Sequence, residues 1–143
     1  MAFRRRHGER GAALVEAAVT IPILLLVAVG IFEFGRAYQF WQVLTNAARE
    51  SARYSVTPNA QPAQAQAIAV QYMQNGGLAA CGAECVTVNR NVPLGVGNAS
   101  TVTIAYPFEF MVLKFVAPLV RGGSDVRESL TMRATATMRN EEP

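Results

Sequence analysis

From Ala12 to Phe32 the chain is apolar on every side, with one charged residue, Glu16. A helix rises about 1.5 Å per residue, so roughly 20 residues cover about 30 Å, the thickness of a bilayer's hydrocarbon. A helix that is apolar all round must be wrapped by protein or by lipid. The rest of this 143-residue chain offers too little apolar surface to wrap it. The pattern therefore predicts one transmembrane helix near the N-terminus. Pro22 lies inside it and leaves the carbonyl of Ala18 without a donor, so a bend or local unwinding is expected there.

The helical pattern does not stop at the end of the span. Ala37, Trp41, Leu44, Ala48 and Ala52 recur at spacings of three and four, with Gln39, Gln42, Asn46, Arg49 and Arg53 on the other side. This amphipathic stripe predicts that the anchor continues as a stalk to about Ser55. Pro58 and Pro62 end it. Tyr38, Phe40 and Trp41 follow Arg36 and either mark the outer membrane–water boundary, which Trp and Tyr favour, or serve ordinary helix packing.

A second helix is expected over Pro62–Asn75, with Ala65, Ile68, Ala69 and Tyr72 on one face. Proline opens it and Gly76-Gly77 closes it. Three runs then alternate with a period of two. Val86 and Val88 alternate with Thr87 and Asn89. Val102, Ile104 and Tyr106 alternate with Thr101, Thr103 and Ala105. Leu130, Met132, Ala134, Ala136 and Met138 alternate with Thr131, Arg133, Thr135, Thr137 and Arg139. Alternation of this kind predicts half-buried strands, here a small antiparallel sheet of about three strands with one face wet. The fold class expected is α+β: a basic leader over 1–11, a transmembrane helix and stalk over 12–55, and a small extracytoplasmic domain over 56–143. Phe108 to Val120 is apolar but too short to span. It is expected to cover the core of the sheet domain, or else to face the membrane or a partner.

The formal charge of +3 changes the picture only when located. Arg4, Arg5, Arg6 and Arg10 stand against Glu9 before the span, and the remainder of the chain carries nine basic and nine acidic residues. A basic block before an apolar helix holds the N-terminus in the cytoplasm. No nucleic-acid partner is expected. The single histidine, His7, lies in the leader. The body of the chain thus lacks the His of a Ser-His-Asp or Cys-His site and of a His-containing zinc site. No Gly-rich phosphate loop occurs. Neither an enzyme, a cofactor, a metal site nor a small-molecule substrate is expected. Cys81 and Cys85 enclose Gly-Ala-Glu, with no other Cys in the chain. A metal site would lack ligands, so in an oxidising compartment a local disulfide is expected.

The stretch RGAALVEAAVTIPILLLVAVGIFEFGRA, residues 10–37, places a basic leader ending in Gly11 against an apolar helix beginning at Ala12, with Glu16 the fifth residue after the glycine. This is similar to the cleavage region of type IV pilin-like precursors. With Pro22 before its Leu/Val run, Gly30-Ile31-Phe32-Glu33-Phe34-Gly35-Arg36, and Gln42 through Tyr54, residues 10–54 resemble the TadE-like family of the tight-adherence (Flp-type) pilus system. The resemblance implies a minor pseudopilin in the bacterial inner membrane, with its C-terminal domain outside the cytoplasm. It implies processing between Gly11 and Ala12 by a prepilin peptidase. It also implies partnership with other pilins or pseudopilins of the machine, with membrane lipid around the span.

Glu16 has a physical rationale of its own. A carboxylate at mid-span costs roughly 2–3 kcal/mol, and less near the end. The new α-amine of a neighbouring Ala12 would offset that cost in a bundle of helices, where the dielectric is low. A helix-start acid favoured by the dipole is the simpler alternative. Glu33 and Arg36 are expected to pair across one helical turn. Two other functions fit the pattern: an unprocessed single-pass protein whose outer domain binds a partner or surface, and a secreted protein cleaved near Ala28-Val29-Gly30.

Overall fold

The computed structural model describes residues 6–95, 97–112 and 130–140. The first helix, α1, runs over Arg6–Ser55. It begins within the leader and not at Ala12, because no proline interrupts the residues before the span. It also passes through Pro22 without a break, so the local unwinding expected there does not occur. Thr57 ends the helix: its Oγ1 donates to the Tyr54 carbonyl at 2.9 Å.

The second helix, α2, spans Pro62–Asn75 and buries Ala65, Ala69 and Met73. Met73, not Tyr72, completes the buried face; Tyr72 is exposed. Gly77, at φ +82, turns the chain out of the helix, a conformation that costs other residues about 1–2 kcal/mol. Gly76 beside it meets α1 closely. A Cβ there would lie 2.5 Å from Val43 Cγ1.

Three strands follow, β1 (Val86–Pro93), β2 (Asn98–Phe108) and β3 (Leu130–Arg139). They form one antiparallel sheet in the order β1-β2-β3. The architecture is α+β, with a long apolar N-terminal helix, a second helix and a three-stranded sheet. Both helices cover one face. Leu44, Ala47, Ala48 and Ala52 of α1 pack with Ala69 and Met73 of α2 and with Val86, Val102, Ile104, Tyr106 and Ala134 of the sheet. The opposite face carries threonine pairs, Thr101 with Thr137 and Thr103 with Thr135, whose hydroxyls lie 3.0 and 3.3 Å apart. Polar side chains there satisfy each other and water, so the alternation read from the sequence becomes an inside and an outside.

Small residues let the elements approach. Ser51 Oγ donates to the Ala65 carbonyl at 2.7 Å, joining α1 to α2. Ser100 Oγ donates to the Ser55 carbonyl at 3.2 Å, so β2 satisfies a group that the end of α1 leaves open. Arg90 of β1 donates to the Thr57 carbonyl at 3.1 Å and to that of Ala60, tying the sheet to the α1–α2 turn. β2 thus starts beside the end of α1 and runs back along the stalk toward the span.

Candidate functional site: the apolar helix and its junction with the sheet

The lower part of α1 is bare. Leu14, Val15, Val19, Ile23, Leu24, Leu25, Leu26 and Ile31 are each more than half exposed. The helix is long and apolar enough to cross a membrane, and none of its most apolar window is buried against the described chain. Water would leave this surface unpaid for by burial, whereas lipid tails match it. Gly11, Ala12 and Glu16 all lie within this helix and are exposed. Nothing lies within 4 Å of where a Gly11 side chain would begin. The Glu16 carbonyl accepts the Thr20 hydroxyl at 2.8 Å.

Just above Phe32 the environment changes. Glu33 is 3% exposed and pairs with Arg36 at 3.1 Å. The pair is the one expected from spacing, but it is not merely local. Glu33 also accepts the backbone N–H of Val112 at 2.5 Å. Arg36 donates to the Glu109 carbonyl. Its guanidinium lies 4.8 Å from the Phe108 ring centroid and 5.6 Å from that of Phe40. Phe40 stands edge-on to both Phe108 and Tyr106, at 5.4 and 6.0 Å. Phe110 closes the group at 5.2 Å from Phe108. A carboxylate, a guanidinium and four aromatic rings therefore lock the end of β2 onto the helix where its apolar segment ends.

From the sequence, Tyr38, Phe40 and Trp41 are expected either to mark this boundary or to pack as ordinary helix residues. The structure separates them. Phe40 turns toward the sheet, while Tyr38 and Trp41 point away, 60% and 47% exposed, with ring centroids 6.1 Å apart. Trp41 therefore does not belong to the buried stripe of the stalk. Val112 and the Glu109 carbonyl carried no sequence mark as partners of the Glu33–Arg36 pair, since backbone groups have none. Phe108, at the start of the apolar run Phe108–Val120, is fully buried. Residues 113–120 of that run lie outside the described residues.

Cys81 and Cys85 stand away from this junction, with sulfurs in bonding contact and Cα atoms 6.1 Å apart. The Glu84 carboxylate and the two sulfurs fall within 4.8 Å of one another. A sulfur joined to its neighbour is no thiolate donor, so the arrangement offers a metal one carboxylate only. The Gly82 N–H, 2.9 Å from Glu84 Oε1, holds that exposed carboxyl below its ordinary range. In protein taken unreduced from its native compartment, neither cysteine should react with an alkylating reagent, and both should react after reduction. Two freely alkylated cysteines without reductant would reject the bridge. Its removal should cost less than the ~3 kcal/mol of a 15-residue loop, because the closed loop is very short.

The helix carries a family signature. Residues 11–53 match the family model of TadE-like proteins. The match covers the bare apolar segment, the Glu33–Arg36 pair and most of the stalk, and stops short of α2 and the sheet. It makes this segment similar to TadE-like proteins. Neither a curated protein nor a solved structure matches the chain.

Proposed function

We propose that the chain is a minor pilin-like subunit in the assembly of a tight-adherence pilus. It is held in the bacterial inner membrane by α1, with its N-terminus in the cytoplasm and the sheet domain outside. The observation that carries this reading is the TadE-like match over residues 11–53 falling on a helix whose apolar surface the rest of the described chain leaves bare. Such a surface suits a helix that lies first among lipids and then among other helices.

A prepilin peptidase cuts between Gly11 and Ala12. Removal of residues 1–11 takes away the net charge of +3 that anchors the cytoplasmic end. Gly11 is helical in the intact chain, so the start of α1 must open before the peptidase can reach the bond. Glycine eases this, since it weakens a helix by about 1 kcal/mol relative to alanine. Glu16 then meets the free α-amine of a neighbouring subunit. The role is structural and not enzymatic: the helix is packed and the sheet domain is presented, with no chemistry on a small molecule.

Deletion tests the reading. In cells that otherwise make tight-adherence pili, loss of this chain should abolish or sharply reduce pilus number by electron microscopy. The intact gene supplied in trans should restore it. Normal piliation of the deletion strain would reject the role.

A further inference from the structure

We infer that the lower end of the sheet domain rests in the outer headgroup layer of the bilayer, with Met111 and Leu130 as its contacting side chains. The inference builds on the reading of α1 as a transmembrane helix.

The level follows from the junction. Glu33 is the residue after Phe32, the last of the apolar run. The headgroup layer is about 5–7 Å thick on each side, or roughly three to five residues of helix. It therefore begins at Glu33 and extends to about Ala37. Val112 is bonded to Glu33 through its N–H, and the Glu109 carbonyl is bonded to Arg36. Residues 109–112 are thus fixed at headgroup height by two contacts to the helix itself. Phe108 stacks against Arg36 and is buried, so the chain cannot swing away from the stalk without breaking the aromatic group.

At that height apolar side chains face outward. Met111 is 54% exposed, and Leu130, which opposes Phe108 across the β2–β3 ladder, is 52% exposed. Phe34 and Tyr38 of α1 are exposed at nearly the same level. The far end of the sheet is mainly polar, with Asn98, Arg139 and Asn140 beside Leu94. An apolar rim at the headgroup boundary is the arrangement by which peripheral segments lie on a membrane. A lipid surface is the occupant because the two tethers put the rim at its height whether or not another protein is present.

The test uses the full chain in phosphatidylcholine–phosphatidylglycerol vesicles, with no other protein. Cys81 and Cys85 are replaced by alanine, and single cysteines are placed at Met111, Leu130, Tyr38, Leu25 and Ala67. Each carries an environment-sensitive fluorophore, read against lipids bearing a nitroxide on the headgroup or deep in the acyl chain. The Met111→Cys and Leu130→Cys labels should both lose fluorescence to the headgroup nitroxide as the Tyr38→Cys label does, while the Ala67→Cys label on α2 keeps its own. Labels at 111 and 130 behaving like that at 67, with Leu25→Cys quenched from the acyl chain, would overturn the inference and leave the span intact. A Leu25→Cys label untouched by the acyl-chain nitroxide would overturn the span and this inference with it.

Discussion

Phe108→Ala should lower the stability of the sheet domain by about 3–5 kcal/mol, the usual cost of truncating a fully buried aromatic residue. Phe108 is completely buried, with Phe40, Phe110 and the Arg36 guanidinium around its ring. The loss leaves a cavity and also strips one aromatic face from a cation that is largely out of water. Small domains have only about 5–15 kcal/mol in hand, so the midpoint of thermal unfolding in lipid nanodiscs should fall by on the order of 15 °C or more. Trp41→Ala is the control: that side chain is half exposed and lies outside the core, and its loss should shift the midpoint far less. Equal shifts for the two variants would contradict the junction as described.

Glu16→Ala should leave the chain cleaved but unable to enter a filament efficiently. The substitution removes a charge that is costly among lipids, so insertion into the membrane should not suffer. If Glu16 pairs with the α-amine of a neighbouring Ala12 as proposed, the same change leaves that amine without its partner in the helical bundle. Removing one member of a buried ion pair costs roughly 3–5 kcal/mol, enough to reduce incorporation by more than about a hundredfold at equilibrium. Glu16→Gln should behave like the alanine variant, since it keeps the shape and loses the charge. Gly11→Lys should act one step earlier, leaving the chain uncut. The measurement is pilus number by electron microscopy, alongside the mass of the chain in the membrane. Normal pilus numbers with Glu16→Ala would reduce Glu16 to a helix-start acid.

The order of elements was legible because two periodicities dominate the chain. Apolar residues at spacings of three and four fixed the stalk to Ser55, and strict alternation fixed β2 and β3. Helix facing was legible only to about one residue. Phe40 and Met73 take the inward places that the pattern gave to Trp41 and Tyr72, because both neighbours lie at the edge of the same apolar stripe. Leader residues from Arg6 onward extend α1, since hydropathy marks where a helix becomes apolar and not where it begins. The tertiary partners of Glu33 and Arg36 were illegible for another reason. The spacing shows a pair within one turn, but the N–H of Val112 and the carbonyl of Glu109 lie more than 70 positions away in the chain. Gly11, Ala12 and Glu16 are the reverse case. Their arrangement is plain in the sequence, while the isolated chain shows them only as exposed positions on a helix, because the peptidase and the neighbouring subunits that would give them roles are other molecules.

Cleavage of the bond between Gly11 and Ala12 separates a pilin-like subunit from a plain anchor or a secreted protein, and intact-mass measurement reads it directly. The chain is extracted from membranes of cells that carry the pilus system's own peptidase. The expected mass is that of a chain beginning at Ala12, with residues 1–11 gone. A mature chain that still bears Arg10 would contradict the pilin-like reading in favour of a plain membrane anchor, and one beginning near Ile31 would contradict it in favour of a secreted protein.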